Sequence, residues 1–496
     1  MILSSGGEIL VTYAVQLNEQ RGVYLVRSAD GGETWSQPSI VFDAAAAGWE
    51  MADQPELARS VDGALHAQFT RRSFPPDFAP LDLAYSRSVD NGATWVLSET
   101  PVAVAAVWSG LYATRGELHR LWAEAADGRM AIWHVVSADG GLTWSERRQI
   151  AILPAGPFPA VTTDQSGRLQ LVGMDGGRLL NWFWEAGRWQ QGEPMATGLS
   201  AGGVMSAAVN TGAQLTVALD AAGGTTGVTL YGMSRLLDGE AMVEPPTPLP
   251  AQPATAGPAA TNTALRQQPD RAIGAGHHSG RAGGAGSDHR RPARRQDGEK
   301  VVSRSGDSPA RRGIALLVTL FVALTLSGAT ALAAPDRQTT PQRPGGWSDP
   351  ELVYETSDEI DQPTVLADPF GGTHIIWRQT ARAAAAEAEP LESIYYMTNR
   401  EGQWTTGADV IAMAVAAGPT GAVDPTGAFH ILWLGPSRTL YYSTAPLSAA
   451  TSATGWSLPQ VVDVSNLHTH VVADQDGMIH IVYPGLGSGG VFYTRY

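Results

Sequence analysis

SADGGETW, at residues 28–35, decides the fold because it is the first of three copies of one octapeptide. SVDNGATW follows at residues 88–95, and SADGGLTW at residues 137–144. The common pattern S-x-D-x-G-x-T-W predicts a tight hairpin. Its Asp can accept hydrogen bonds from its own turn, its Gly allows a positive φ, and its Trp can pack against the sheet. The shared positions are Ser28, Asp30, Gly32, Thr34 and Trp35; Ser88, Asp90, Gly92, Thr94 and Trp95; and Ser137, Asp139, Gly141, Thr143 and Trp144.

The rest of the repeat can be aligned around the octapeptides. An earlier strand reads as Gly, two variable residues, often His, and apolar alternation, as in GALHAQF at residues 63–69. In several repeats a proline lies eleven positions before the His or its equivalent: Pro55, Pro159, Pro363 and Pro419. Four strands in about 50 residues are typical of a propeller blade. We interpret the repeated histidines as a packing or ladder feature rather than metal ligands; they are His66, His119, His374, His430 and His480.

The three octapeptides resemble the Asp box, or BNR repeat, of bacterial and viral sialidases and related propellers. The resemblance implies an all-β, sialidase-like β-propeller. It also implies that each box links the third and fourth strands of a blade, away from the active site. Asp30, Asp90 and Asp139 are therefore expected to be structural rather than catalytic.

The composition agrees with an all-β class and excludes several functions. The 496 residues include 56 Gly, 32 Pro and 15 Trp, and only 16% are charged. The net charge is −15 and basic residues cluster outside the repeats, so we expect no nucleic-acid partner. The chain has no cysteine, which excludes disulfides, thiol nucleophiles and Cys-ligated metals. No metal-binding spacing is present, and we expect no cofactor.

The repeats fall into two parts of the chain. Residues 1–246 contain about five blades, of which the first begins at its second strand, and residues 347–496 contain about three. The last blade ends after its third strand, VFYTRY, whereas WSDPELV at Trp347 is a spare fourth strand that could pair with it. Two alternatives stay open: the parts combine into one ring of about eight blades, or each is a fragment of a larger parent.

The two parts are separated by residues of different character. Residues 247–312 are rich in Pro, Ala, Gly and Arg and predict a disordered linker. Residues 313–334 include the uncharged run Ile314 to Ala334, which predicts a transmembrane helix or an internal signal peptide with an A-x-A site at Ala331–Ala333. The first reading gives a single-pass membrane protein with its C-terminal half outside the cytoplasm, and the second a secreted product. A fusion of two neighbouring reading frames is a further hypothesis.

The sialidase resemblance also implies an active site with three arginines, an Asp acid/base and a Tyr-Glu nucleophile. The F/Y-R-I-P motif that carries the first arginine is missing, so the sequence leaves open whether the chain is an enzyme and assigns no catalytic residue. Arg71, Arg72 and Arg115 are candidates for binding an anion. Tyr85 and Tyr112 are better explained as strand residues than as nucleophiles.

Loops that enter the inner strands are expected to open at the top of the central channel. They carry Asp53 in MADQPEL, Asp361 in EIDQPTV, and His468 with His470 in NLHTHVV. These side chains could meet a polar ligand, or each Asp could cap a turn before proline.

The sequence favours a sialidase-like propeller that binds glycan or protein without a complete catalytic set, and that is associated with a membrane through Ile314–Ala334 or exported. An exo-α-sialidase-type glycoside hydrolase is the alternative, and a fusion of fragments with no function of its own is the third hypothesis.

Overall fold

The structure is a computed structural model. It describes residues 1–3, 7–74, 76–98, 102–103, 105–164, 166–197, 201–223, 227–237, 261–265, 347–348, 351–381, 392–400, 402–465, 469–486 and 490–496. The chain divides into two units, Met1–Gln267 with Thr340–Tyr496, and Gln268–Thr339. The second unit and the predicted hydrophobic segment Ile314–Ala334 lie outside the described residues. Within the predicted linker, residues 261–265 form a strand.

The described strands form eight antiparallel sheets, which are the blades of a propeller. The first four blades come from one continuous part of the chain. Blade 1 contains β1 (Ile2–Leu3), β2 (Ile9–Val15), β3 (Gly22–Ser28) and β4 (Ser39–Asp43). Blade 2 contains β5 (Met51–Arg59), β6 (Leu65–Arg72), β7 (Pro80–Ser88), β8 (Val96–Leu97) and β9 (Val102–Ala103). Blade 3 contains β10 (Ala106–Ala113), β11 (Leu118–Ala126), β12 (Arg129–Ser137) and β13 (Arg148–Pro154). Blade 4 contains β14 (Ala160–Thr163), β15 (Leu169–Asp175), β16 (Arg178–Glu185), β17 (Arg188–Gln191) and β18 (Met195–Ala196).

The other four blades use strands from both parts of the chain. Blade 5 contains β19 (Ala201–Val209), β20 (Gln214–Gly223), β21 (Gly227–Leu236) and, after the strand β22 (Thr261–Leu265), β23 (Glu351–Thr356). Blade 6 contains β24 (Glu359–Ala367), β25 (Thr373–Thr380), β26 (Glu392–Arg400), β27 (Gln403–Trp404) and β28 (Ala408–Ile411). Blade 7 contains β29 (Ala417–Val423), β30 (Ala428–Leu434), β31 (Thr439–Pro446) and β32 (Gln460–Val464). Blade 8 contains β33 (His470–Ala473), β34 (Ile479–Pro484), β35 (Val491–Arg495) and β22.

The all-β propeller is confirmed, but a separation into one part of five blades and one of three is not supported, because blades 5 and 8 take strands from both parts. The strand after Trp347 completes blade 5 by pairing with β21, and it does not pair with the last strand of the chain. The outer partner of that last strand is β22. Blade 1 also has a short inner strand, because Ile2 pairs with Leu10 and Leu3 with Ile9. The pairings of β23 with β21 and of β22 with β35 join distant segments of the chain, and no local pattern encodes them.

Helices contribute little to the described part of the chain. Two single-turn 3-10 helices occur there, Pro436–Arg438 and Ala453–Gly455. Among the residues that the structure describes, no helix is long and apolar enough to cross a bilayer.

The repeated prolines lie at or just before the inner strands. In β5 the pairing register skips from Asp53 to Glu56, and in β24 it skips from Asp361 to Thr364. Proline has no backbone N–H to give to a ladder, so a bulge is where an inner strand accommodates it. β29 has the same irregularity around Pro419, and Pro159 directly precedes β14.

The blade geometry defines two faces of the ring. Each inner strand starts, and each second strand ends, at the face that we call the top face, as the pairing of Ala52 with Arg71 illustrates. The octapeptides connect third and fourth strands at the opposite face, which we call the Asp-box face. Apolar side chains fill the space between blades; Leu121 of blade 3, for example, belongs to one cluster with Leu171 and Trp182 of blade 4.

Candidate functional site

A polar cluster lies at the top face of blades 1 and 2. Asp53 lies near the start of β5, and Arg72 ends β6, so antiparallel pairing brings them to the same end of the sheet. The Arg72 Nε atom lies 3.3 Å from Asp53 Oδ2. Gln16, from the loop between β2 and β3, donates to Asp53 Oδ1 over 2.7 Å, and Arg72 Nη2 donates to Gln54 Oε1 over 2.8 Å. We call Gln16, Asp53, Gln54, Arg71 and Arg72 the top-face cluster.

Arg71 also has an acidic partner. Its Nη1 atom lies 3.1 Å from Asp82 Oδ2, and its guanidinium lies 5.3 Å from the centre of the Trp49 ring. Arg71 and Asp82 face each other in register on β6 and β7. Both candidate arginines of blade 2 are therefore already paired with carboxylates of the same blade.

Blade 6 has a counterpart of the pair formed by Asp53 and Arg72. Asp361 is the register partner of Arg378, and its Oδ2 atom lies 3.3 Å from Arg378 Nη2. Arg378 Nη1 also donates to the carbonyl of Val415 over 3.2 Å. Asp53 and Asp361 thus lie in strands, directly before a bulge, and each holds an arginine from the end of the second strand. Arg378 is a residue that the sequence analysis did not single out, although it follows the GTHIIW strand directly.

The remaining candidates lie elsewhere. His470 begins β33 on blade 8, where it is exposed and pairs with Val482, while His468 lies outside the described residues. Arg115 is exposed in the turn between β10 and β11, at the Asp-box face. The structure therefore brings Asp53, Arg71 and Arg72 together on blade 2 and leaves Asp361 on blade 6.

Aromatic side chains border the top-face cluster. Phe74 and Phe78 lie in the loop after β6, with 42% and 44% of their surface exposed. The Phe74 backbone N–H donates to Glu50 Oε2 over 2.7 Å, and Arg21 lies 5.9 Å from the centre of the Phe74 ring. Exposed aromatic faces beside planar amide, carboxylate and guanidinium groups can hold a polar, uncharged ligand such as a sugar ring.

A buried polar bridge between blades 2 and 3 was missed by the sequence analysis. Arg120 Nε donates to Gln68 Oε1 over 2.7 Å, and Gln68 Nε2 donates to Glu56 Oε2 over 3.3 Å. Ser109 donates to the other oxygen of Glu56 over 2.7 Å. Burial raises the pKa of Glu56 to about 7 and lowers the pKa of Arg120 to about 10. A charged residue inside the apolar strand GELHRLW is the signal that could have revealed it.

The two tyrosines considered as nucleophiles lie in strands, where Tyr85 is buried and Tyr112 is partly buried. Tyr85 on β7 bonds through its hydroxyl to His66 Nδ1 over 2.7 Å. Tyr112 on β10 packs against the core between blades 3 and 4. Burial raises the pKa of both hydroxyls, and the negative charge of Glu56 adds to this effect at Tyr112.

The repeated histidines bridge strands inside the blades. In blade 6, His374 Nε2 lies 3.0 Å from Asp368 Oδ2, and its Nδ1 lies 2.7 Å from the Tyr396 hydroxyl. The same Asp-His-Tyr relay occurs in blades 7 and 8, and in blade 2 Ser60 takes the place of the aspartate. Burial lowers the pKa of His66 to about 4 and lowers that of His374 as well. The relays lie next to the turns of the Asp-box face.

The octapeptides form three equivalent hairpins. In the first, Asp30 Oδ1 accepts from the Thr34 backbone N–H over 2.9 Å, and the Ser28 hydroxyl accepts from the Gly32 N–H over 2.7 Å. Hydrogen bonds from Thr34 hold the pKa of Asp30 at about 2. The other two boxes repeat these bonds. The described strands thus form a β-propeller in which three blades carry this hairpin. Its boxes lie at the face opposite the top-face cluster.

No family model and no curated protein matches the sequence. Among solved structures, an ulvan lyase of polysaccharide lyase family PL25 has 11% identity and a TM-score of 0.45, covering 100% of this chain and 90% of that one. A GH93 α-L-arabinofuranosidase of Fusarium graminearum has 11% identity and a TM-score of 0.38, covering 89% and 92%. The Hadza microbial sialidase Hz136 has 10% identity and a TM-score of 0.35, covering 97% and 74%.

Proposed function

We propose that this propeller binds an uncharged glycan at the top-face cluster and does not hydrolyse it. The observation that carries the proposal is the pairing of each candidate arginine of blade 2 with a carboxylate: Arg72 with Asp53 and Arg71 with Asp82. Arg378 and Asp361 repeat the arrangement on blade 6.

Charge neutralisation supports an uncharged ligand. A ligand carboxylate that approached Arg71 or Arg72 would meet Asp82 or Asp53 within the same few ångströms. At a separation of 4 Å, two like charges repel by about 1–4 kcal/mol at the surface of a protein. The net charge of −15 on the whole chain adds to this repulsion. A sialic acid, uronate or sulfated sugar is therefore a poorer ligand than a neutral one.

The chemistry of the remaining groups supports a sugar. Gln16 and Gln54 have amides that can bond hydroxyl groups, and the exposed rings of Phe74 and Phe78 can pack against the C–H face of a pyranose. The arginine clamp that the sialidase resemblance implies needs guanidinium groups free to bind a carboxylate. Here the blade-2 arginines have internal partners, which favours binding over hydrolysis.

Titration of the full chain with matched neutral and acidic oligosaccharides tests the proposal. We expect calorimetric binding of a neutral oligosaccharide and at least tenfold weaker binding of its sialylated or uronate counterpart. Phe74→Ala should weaken binding about three- to tenfold, because it removes a stacking surface. The matched control is Phe158→Ala, since Phe158 is 48% exposed and precedes β14 on blade 4.

Two results would overturn the proposal. Preferential binding of the acidic glycan would show that the internal pairs open for a ligand carboxylate. Hydrolysis of a fluorogenic sialoside that is lost in Arg71→Ala or Arg72→Ala would establish the hydrolase alternative instead.

A further inference from the structure

The ring has two seams at which the parts of the chain before and after the central segment meet. The amino-terminal part is residues 1–265, and the carboxyl-terminal part is residues 347–496. One seam joins blades 5 and 6, and the other joins blades 8 and 1. In addition, Trp347 of the carboxyl-terminal part packs against the core between blades 4 and 5.

At the first seam, the carboxyl-terminal part completes a sheet of the amino-terminal part. β23 pairs with β21 from Val228 opposite Thr356 to Gly232 opposite Glu351. Before this strand, the Ser348 N–H donates to the Ser234 carbonyl over 2.8 Å, and the Ser234 N–H donates to Ser348 Oγ over 3.0 Å. The first three strands of blade 5 therefore belong to the amino-terminal part, and the carboxyl-terminal part supplies the outer strand.

The same seam has a shared core and direct hydrogen bonds. Leu230 of blade 5 packs in one buried cluster with Ile375, Trp377 and Met397 of blade 6, all of them inaccessible to solvent. Asn210 Nδ2 also donates to the carbonyl of Gly371 over 3.0 Å. Fully buried apolar contacts of this kind are typical of the inside of a domain rather than of a transient contact.

At the second seam, the last blade binds the first Asp box. Arg495 Nη1 donates to the Gly31 carbonyl over 2.8 Å, and the Tyr493 ring lies 4.8 Å from the Trp35 ring in an edge-to-face contact. Arg495 also forms an ion pair with Glu33. The Tyr493 hydroxyl adds a bond to the same Gly31 carbonyl over 3.2 Å.

This contact repeats the interfaces between blades 1, 2 and 3. There, Arg27 Nη1 donates to the Asn91 carbonyl over 3.2 Å, and Arg87 Nε donates to the Gly140 carbonyl over 2.6 Å. In each case an arginine near the end of a third strand binds the fourth residue of the next Asp box. The second seam is thus built like an interface inside the amino-terminal part.

Strand exchange at this seam is reciprocal to that at the first. β22, from the amino-terminal part, pairs with β35 from Thr261 opposite Arg495 to Leu265 opposite Val491. Each part therefore supplies the outer strand of a blade whose other three strands belong to the other part. We infer that the two parts are interlocking halves of one ring, and that each is the binding partner of the other even without the covalent connection.

The shared ring constrains the topology of the central segment. The described residues up to 265 and from 347 onward lie in the same ring, so they occupy the same side of any membrane. A single crossing by Ile314–Ala334 would place them on opposite sides. The folded ring and the single-pass topology exclude each other.

Cleavage of the full chain tests whether the halves hold together. A sequence-specific protease site placed between residues 280 and 290 lets the chain be cut after it has folded. We expect both fragments to elute together in size-exclusion chromatography at micromolar concentration and to separate in urea. Separate elution in native buffer would overturn the inference.

A matched pair of glycine variants locates the interaction. A Cβ atom on Gly32 would collide with the Tyr493 hydroxyl, whereas one on Gly48 would meet open space, and both glycines have a positive φ of 89° and 69°. In the cleaved protein, Gly32→Ala should weaken association of the fragments at least tenfold and Gly48→Ala less than twofold. Equal effects would contradict a seam between blades 8 and 1.

Accessibility in cells tests the consequence for topology. In spheroplasts that express the chain, an external protease should reach both parts or neither. Digestion of the carboxyl-terminal part with protection of the amino-terminal part would show that the chain crosses the membrane once, and it would refute the shared ring.

Discussion

Blades 1–3 and blades 6–8 have the same strand order but are tied together by different hydrogen bonds. In blades 1–3 an exposed aspartate of the Asp box, such as Asp30, accepts hydrogen bonds from Ser28 and Thr34 of its own hairpin. In blades 6–8 a more buried aspartate, such as Asp368, links a turn to the second strand and, through His374, to Tyr396 on the third. The same fold is thus stabilised by hydrogen bonds within one hairpin in blades 1–3 and by hydrogen bonds that link three strands in blades 6–8.

The largest expected difference concerns the buried carboxylates. Asp368 has a solvent-inaccessible side chain that bonds His374 and the backbone N–H of Gly372 and forms an ion pair with Arg400. Asp368→Ala should lower the free energy of unfolding by about 3–5 kcal/mol, because it leaves buried partners unpaired. Urea unfolding measures the loss. The control is Asp476→Ala, at an exposed residue in the corresponding turn of blade 8, and a similar loss there would contradict the role of the relay.

The second difference concerns pH. The pKa of Glu56 is raised to about 7 in the folded state from the usual 4.5, so the folded protein binds this proton more tightly than the unfolded chain does. Ionisation of Glu56 therefore destabilises the folded state. This loss of stability is absent below about pH 4.5 and grows as the pH rises through 7. The free energy of unfolding of Glu56→Gln, measured relative to that of the wild type, should therefore increase by on the order of 2 kcal/mol between pH 5 and pH 8.

Unfolding at several pH values tests this expectation. Asp82→Asn is a control of similar charge change, at a partly exposed residue of the same blade. A difference between Glu56→Gln and wild type that stays constant with pH would contradict the raised pKa. The corresponding interface between blades 6 and 7 is filled by apolar residues such as Ile376 and Phe429, so this pH dependence is expected to belong to the first region.

A substitution in blade 2 can introduce the Asp-His-Tyr relay of blades 6–8. In blade 2, Ser60 Oγ lies 2.8 Å from His66 Nε2, where blades 6–8 have a carboxylate. Ser60→Asp should raise the pKa of His66 above its present value of about 4, because the carboxylate stabilises the imidazolium. NMR titration of His66 measures the shift. Ser60→Asn has the same shape without the charge and should leave the pKa low; an equal pKa in both variants would show that charge is not the cause.

The smallest effect is expected in the Asp boxes. Asp90→Ala removes bonds to Thr94 in an exposed hairpin, and water can replace them. The midpoint of thermal unfolding should therefore fall by less than it does for Asp368→Ala. Thr94→Val provides a comparison that removes one of the same hydrogen bonds. An effect of Asp90→Ala as large as that of Asp368→Ala would remove the distinction between the two regions.

Much of the fold was predictable because its signals are local. The Asp box closes its hydrogen bonds over four residues, from Asp30 to Thr34, so its sequence contains both partners. The prolines at 55 and 363 mark bulges for a similar reason, since the missing N–H belongs to the residue itself. The positions of the histidines in the second strands were visible in the same way, although their tyrosine partners were not.

The candidate site was predictable only in part. Asp53, Arg71 and Arg72 could be named as polar residues at the ends of strands. Their pairing, on which the proposal of an uncharged ligand rests, depends on the register between β5, β6 and β7. Glu56 and Arg120 escaped notice because Gln68, on a third strand, connects them.

By itself, the sequence determined the hairpins, the four-strand repeat and the all-β class, because hydrogen bonds within a turn and alternation along a strand involve residues close in the chain. Only the tertiary structure decided that the described strands form eight blades of one ring, that β23 completes blade 5 and that Arg495 binds the first Asp box. Those contacts join residues more than one hundred positions apart. Their partners are selected by side-chain packing and by the pairing of N–H and C=O groups at the edges of strands. No short stretch of sequence specifies either.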